Sequence, residues 1–152
     1  MISNWCRVGT AANMRSVKTI PLLLLISNAP TAELEVRLEK VRNERGSLHL
    51  CLTRNPAHFP DCGEDPAALK RSVPAGIATI RFTGILPGDY ALAVLHDENR
   101  NGRLDTLVGI PREGFGFSRS PAVLLGPPRF RQVRFGIAEG FTRQTVRMQY
   151  LL

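Results

Sequence analysis

The feature that most restricts this chain is a hydrophobic period of two. In ELEVRLEKV, Leu34, Val36 and Leu38 fall on one side of an extended backbone, while Glu35, Arg37 and Glu39 fall on the other. Successive side chains of a strand point to opposite faces, so such a segment buries one face and wets the other. SLHLCLT repeats the pattern with Leu48, Leu50 and Leu52, and the two runs, separated by the turn-forming RNERG, read as a hairpin. IATIRFTG and DYALAVLHD follow, joined through the Pro-Gly step of ILPG. RQVRFGIAE and TRQTVRMQYLL read as a terminal hairpin, with Val133, Phe135 and Ile137 answered by Val146, Met148 and Tyr150. Strands of this kind, linked by Gly and Pro turns, predict an all-β chain folded as an antiparallel β-sandwich of about seven strands. The one helical signal is EDPAALKRS, where Asp65 is a candidate N-cap and Pro66 stands at the first helical position.

Alternation lapses between Glu98 and Arg129, a stretch rich in Gly, Pro and aromatics. A segment of this length inside a compact domain serves a function, forms an ordered loop or hides a short strand. Leu104, Leu107, Val108, Ile110, Phe115, Phe117 and Leu124 supply apolar side chains for packing, which predicts a long ordered cap loop over one end of the sandwich.

Ahead of the first strand, MRSVKTIPLLLLISNAPTA has the order of a secretory signal: basic Arg15 and Lys18, an apolar run from Ile20 to Ile26, and small residues around Ala29 and Ala32. Residues 1–32 are therefore expected to be an N-terminal extension and signal peptide, with translation starting at Met14 and cleavage after Ala29 or Ala32. Residues 33–152 form the single domain, which is expected to be periplasmic or secreted. The apolar run falls well short of the ~20 residues that a membrane span needs, so no transmembrane segment is expected in the mature chain. Losing Arg7, Arg15 and Lys18 lowers the formal charge from +7 to +4. The remaining arginines, such as Arg37, Arg81, Arg131, Arg134, Arg143 and Arg147, are spread along strands without interleaved aromatics, which argues against a nucleic-acid partner. Cys6 leaves with the leader, so Cys51 and Cys62 remain as an even pair in an oxidising compartment and predict a local disulfide. Closing so short a loop is worth about 3 kcal/mol in the chain-entropy model.

HDENRNGRLD carries the densest polar chemistry. Counted from Asp97 as an EF-hand-like loop, it offers Asp97, Asn99, Asn101, the Arg103 carbonyl and Asp105 as calcium ligands, with Gly102 at the turn. Val108 occupies the position of the closing bidentate acid, so Glu113 or Glu98 would have to fold in from another register, and Arg100 and Arg103 would repel a cation. The same letters equally describe a metal-free turn locked by side-chain to backbone bonds. His96 beside Asp97, with Ser118 and Ser120 in the cap, outlines a small envelope hydrolase with His96 as general base. The better-supported role is non-catalytic. Phe115, Phe117 and Phe130 would line a shallow groove for an envelope protein, a peptide or a glycan, or would instead fill the end of the core.

FTGILPGDYALAVLHD resembles the strand-turn-strand of transthyretin-like and carboxypeptidase-regulatory-like sandwiches, where Leu-Pro-Gly-x-Tyr leads into a core strand. Together with HDENRNGRLDTLVGIPREGFGFS and GPPRF, the chain from about Glu33 to Leu152 resembles DUF2141, an exported bacterial family defined only as a domain of unknown function. The resemblance implies a small exported sandwich and implies no established activity. One transthyretin-like branch hydrolyses a purine-derived ring and ends in Tyr-Arg-Gly-Ser; this chain ends MQYLL, so that activity is not implied.

Overall fold

A computed structural model describes residues 31–123 and 126–152. The expected leader, apart from Thr31 and Ala32, and the expected packing of Leu124 lie outside the described residues. Two sheets face each other. The first has β1 (Ala32–Glu39) at its centre, flanked by β4 (Thr79–Ile85) and β10 (Gly140–Arg147). The second runs β3 (Leu69–Pro74), β2 (Ser47–Thr53), β5 (Gly88–Asp97) and β8 (Gly114–Phe117), all antiparallel, and β9 (Phe135–Ile137) pairs with the start of β5. A separate ribbon of two short strands, β6 (Thr106–Leu107) and β7 (Ile110–Pro111), belongs to neither sheet.

The predicted period of two places the core. Leu34, Val36 and Leu38 from β1 meet Leu48, Leu50 and Leu52 from β2, with Ile80 and Phe82, Leu92 and Val94, and Val146 and Met148 completing the layer between the sheets. Each of these strands shows its other face to solvent or to a secondary layer, as alternation requires.

The pairings differ from the predicted ones. β1 and β2 lie in different sheets and form no hairpin, because the connection through Arg42–Gly46 is long enough to cross the roughly 10 Å between layers. β9 and β10 likewise separate, β9 to β5 and β10 to β1, so the expected terminal hairpin is replaced by a crossover. The β1–β10 pair is parallel, which makes the sandwich mixed rather than purely antiparallel. Alternation shows which face a strand buries; it does not name the strand beside it.

The predicted helix over EDPAALKRS is also absent. Asp65 does cap a turn, its Oδ1 accepting the Ala67 amide at 2.9 Å and its Oδ2 accepting the Thr53 hydroxyl at 2.5 Å. The chain then extends, because Leu69 to Pro74 gains a full ladder against β2. Pairing to an existing sheet outweighs a weak local helical preference. The one short helix, α1 (Phe130–Val133), lies instead immediately after the expected cap. The cap does conceal a strand among its described residues, β8.

Candidate functional site

β5 ends by delivering His96 inward and Asp97 outward, and both side chains are fully buried. The Asp97 carboxylate accepts the Asn101 amide at 3.1 Å and the Gly102 amide at 2.7 Å, and His49 Nε2 lies 3.2 Å from it. Burial by itself would raise the Asp97 pKa. The Gly102 and Asn101 amides, with His49 and the Arg100 amide, outweigh it and hold the carboxyl below its ordinary range. Asn99 and Asn101 turn their side-chain oxygens to the amides of Asn101 and Arg103, and their NH₂ groups to Asp105 at 2.6 and 2.9 Å. Glu113 folds in from its off-register position, as the calcium reading required, but its two oxygens accept the Glu98 and Asp105 amides.

As placed, the donor set is engaged with protein donors and is not gathered around a cation position. Asp97, Asp105 and Glu113 each accept protein N–H groups with both oxygens, and Asn99 and Asn101 bond to Asp105. Among the described residues no cluster of three or more Asp, Glu, His or Cys side chains is arranged to hold a metal. The loop is locked by its own hydrogen bonds.

His96 corrects the hydrolase reading. Its Nε2 lies 2.8 Å from the Arg45 carbonyl, which can only accept, so that nitrogen carries a proton. Its Nδ1 is 2.7 Å from the Tyr150 hydroxyl, whose oxygen also accepts the Arg42 amide at 3.0 Å; with the ring proton on Nε2, the hydroxyl donates to Nδ1. Both nitrogens are satisfied and no surface reaches them, which leaves no free base for a substrate. Ser118 is buried too, its hydroxyl bonded to the Val133 carbonyl at 2.7 Å and to the Leu92 amide at 3.0 Å. Ser120 accepts the Arg147 amide. The three side chains do not form a constellation.

The run GFGF builds the opposite face. Gly114 and Gly116 point into the sandwich, where a Cβ would stand 2.3 Å from the Tyr150 ring or 2.7 Å from Val146, so only glycine lets β8 approach so closely. Phe115 and Phe117 consequently point outward, beside Leu95 and Ala93 of β5. They are nonetheless only 6% exposed, since Phe117 packs on Phe59, and Phe59 meets Phe130 edge-on. Val133 and Ala91 complete this second small core, which covers one end of the outer face. The expected exposed aromatic surface is thus mostly a packing layer.

The other end of that face stays open. Cys51, Ala93, Leu95, Phe115 and Phe117 floor a groove of about 740 Å³, walled by the Pro60–Gly63 loop on one side and by Gly102–Leu104 on the other. The Cys51–Cys62 disulfide is present, with Cα atoms 6.1 Å apart, and it pins the first wall. Lys70 Nζ bonds the Gly63 carbonyl at 2.9 Å and adds a second tie. Lys70, Arg71 and Arg103 give the rim positive charge, relieved by Asp61.

A family model described as an uncharacterized protein conserved in bacteria, DUF2141, matches residues 36–145. The chain belongs to this family. The match spans the central strands of both sheets, the disulfide loop and the 97–105 loop. No curated protein and no solved structure matches the chain.

In this DUF2141 chain the residues singled out from sequence fall in three places. Asp97, Asn99, Asn101, Arg103, Asp105 and Glu113 do come together, as a self-bonded loop; Phe115 and Phe117 form part of the groove floor, while Phe130 lies in the covering layer. Sequence reasoning missed Arg42, whose guanidinium is joined to Glu98 at 2.5 Å and lies 4.6 Å above the Tyr150 ring; in the sequence Glu98 figures only as an off-register calcium ligand and Tyr150 only as a strand residue. It also missed the small floor residue Ala93. These residues come from opposite ends of the chain and share no spacing that a motif could reveal.

Proposed function

We propose that this DUF2141 protein is an exported, non-catalytic binding module of the cell envelope, periplasmic or secreted, with the groove over β2, β5 and β8 as its binding surface. The observation that carries the reading is the groove itself: an open, mainly apolar trough on a sheet face, held between two covalently or hydrogen-bond-stiffened walls. Concave apolar surfaces with a few placed polar groups are where proteins bind ligands. The occupant that fits is an extended segment of an envelope peptide or protein, with apolar side chains for Ala93, Leu95 and Phe115 and acidic groups for Lys70, Arg71 and Arg103. A glycan fits less well, because the floor side chains Ala93, Leu95, Phe115 and Phe117 offer its hydroxyls no hydrogen-bonding group.

Export is supported by the charge and hydropathy order of residues 14–32 and by a disulfide of the kind that persists in oxidising compartments. Ala32 opens β1 and pairs with Gly140 and Ile85, so cleavage after Ala29 leaves the strand whole. No helix among the described residues is long and apolar enough to cross a membrane. The 97–105 loop serves this module as a rigid wall, and calcium enters only by displacing bonds the loop already makes.

Selection of peptides displayed in random sequence, followed by amide chemical-shift mapping on the isotope-labelled protein, tests the proposal. Selected peptides should be apolar with acidic flanks, should perturb Ala93, Leu95 and Phe115, and should lose binding to Leu95→Arg. Shifts confined to the other sheet, or binding indifferent to Leu95→Arg, would refute it.

A further inference from the structure

The β6–β7 ribbon is the least economical part of the molecule. Its two strands pair only with each other, and it carries Leu107 at 54% exposure, Val108 at 94% and Ile110 at 44%. Leu104, just before it, is 39% exposed. The tight turn uses Val108 at φ +52° and Gly109 at φ +78°, the geometry of a two-residue hairpin turn that suits Asn-Gly. Val108 pays twice there, since its branched Cβ crowds the backbone in the left-handed region and its methyls stand in water. Among the described residues nothing covers this tip.

Charge around the ribbon is sorted. Asp97 and Glu113 are buried and accept backbone amides, and Glu98 is held by Arg42 and Arg45. Arg100, Arg103 and Arg112 are exposed, and none pairs with a carboxylate among the described residues. Arg112 closes the base of the ribbon through its amide to the Asp105 carbonyl. Arg42 donates to the carbonyls of both Arg112 and Leu152, which sets the exposed Leu151 and Leu152 at the same end of the molecule.

We propose that this ribbon is a membrane-surface contact: Leu107, Val108 and Ile110 enter the boundary between headgroups and acyl chains of an anionic leaflet, and Arg100, Arg103 and Arg112 meet the lipid phosphates. Apolar tips flanked by cations bind such interfaces through buried area and electrostatic attraction together. An acidic soluble peptide would satisfy the arginines and leave Val108 in water. A second copy laid tip to tip would bring the same arginines against one another, which like charges oppose. This contact shares Arg103 with the groove wall, but its apolar residues Leu107, Val108 and Ile110 lie outside the groove. Leu95→Arg and Val108→Asp therefore test the two separately, and together the sites would hold the groove at a bilayer surface.

The sequence contains one tryptophan, Trp5, so the full chain carrying Trp5→Phe and Leu107→Trp reports from the ribbon alone. Its emission is followed on adding vesicles of phosphatidylethanolamine and phosphatidylglycerol, or of phosphatidylcholine, with brominated acyl chains as quenchers. The expected result is a blue shift and quenching with the anionic vesicles, weaker with phosphatidylcholine. Adding Val108→Asp should lower the partitioning roughly tenfold or more while leaving the melting temperature unchanged. Emission that stays water-like with every vesicle overturns the proposal, as does a shift indifferent to Val108→Asp. A blue shift that grows with protein concentration in the absence of vesicles also overturns it, in favour of a second copy covering the tip.

Discussion

Asp97→Ala removes the carboxylate on which the 97–105 loop closes. Asp97 accepts the Asn101 and Gly102 amides and contacts His49, all from a fully buried position. A hydrogen bond to a charged group contributes about 1.5–3 kcal/mol, so the two amide bonds set an upper figure of about 6 kcal/mol. Two effects reduce it. Asn99 to Arg103 are exposed, so the loop can swing out and rehydrate the freed amides, and the half-exposed His49 contact adds little in water. A net loss of about 2–4 kcal/mol remains. With a urea slope of about 1–3 kcal/mol per molar, the unfolding midpoint at pH 7 should fall by about 1–2 M with the slope unchanged. Asp97→Asn keeps one acceptor and should lose about half as much. A depressed carboxyl adds a pH signature. Its stabilisation is complete above the unfolded-state value of 3.8 and is lost as pH falls through the lower folded value, so wild type should weaken in acid and Asp97→Ala should weaken less. Urea unfolding followed by circular dichroism, with amide exchange at Asn101 and Gly102, measures all of this. A midpoint within about 0.3 M of wild type would refute the reasoning, because the loop would then be held by something other than Asp97.

Calcium titration of the wild-type protein by calorimetry should give no saturable heat and no rise in melting temperature, since the oxygens of Asp97, Asp105 and Glu113 already serve protein donors; saturable binding lost in Asp97→Ala would reverse that conclusion. Gly114→Ala places a methyl 2.3 Å from the Tyr150 ring and should push Tyr150 off His96, costing about 2–4 kcal/mol from overpacking and a lost buried hydrogen bond. Its check is a lowered urea midpoint, and wild-type stability would show that β8 can draw back at no cost.

Much of the fold is legible in the chain because burial in a sandwich is written residue by residue. Leu34, Val36 and Leu38, or Leu48, Leu50 and Leu52, declare their face without reference to any other segment. Pairing is not written that way. β3 hides in EDPAALKRS because its apolar pattern is weak, and only the waiting edge of β2 makes it extend. The polar loop is legible in composition but ambiguous in use, since the letters that ligate calcium are those that bond backbone amides. GFGF is the sharpest case: its phenylalanines read as a binding surface, whereas its glycines, which admit Tyr150 and Val146, explain the run. His96 looks like a base until Tyr150 and Arg45, both more than fifty residues away in sequence, are seen on its two nitrogens.

By itself, the sequence determined the all-β class, the two-faced strands, the cap segment, the disulfide pair and the cluster of polar residues at 97–105. Those properties depend on side-chain period, turn chemistry and local spacing, which act over a few residues. Tertiary structure alone decided which strands pair, that β1 and β10 run parallel, that His96 is sealed and that a groove opens between the disulfide loop and the 97–105 loop. It also left Val108 in water. These outcomes depend on contacts between residues far apart in the chain, whose energies arise only once two sheets are packed face to face.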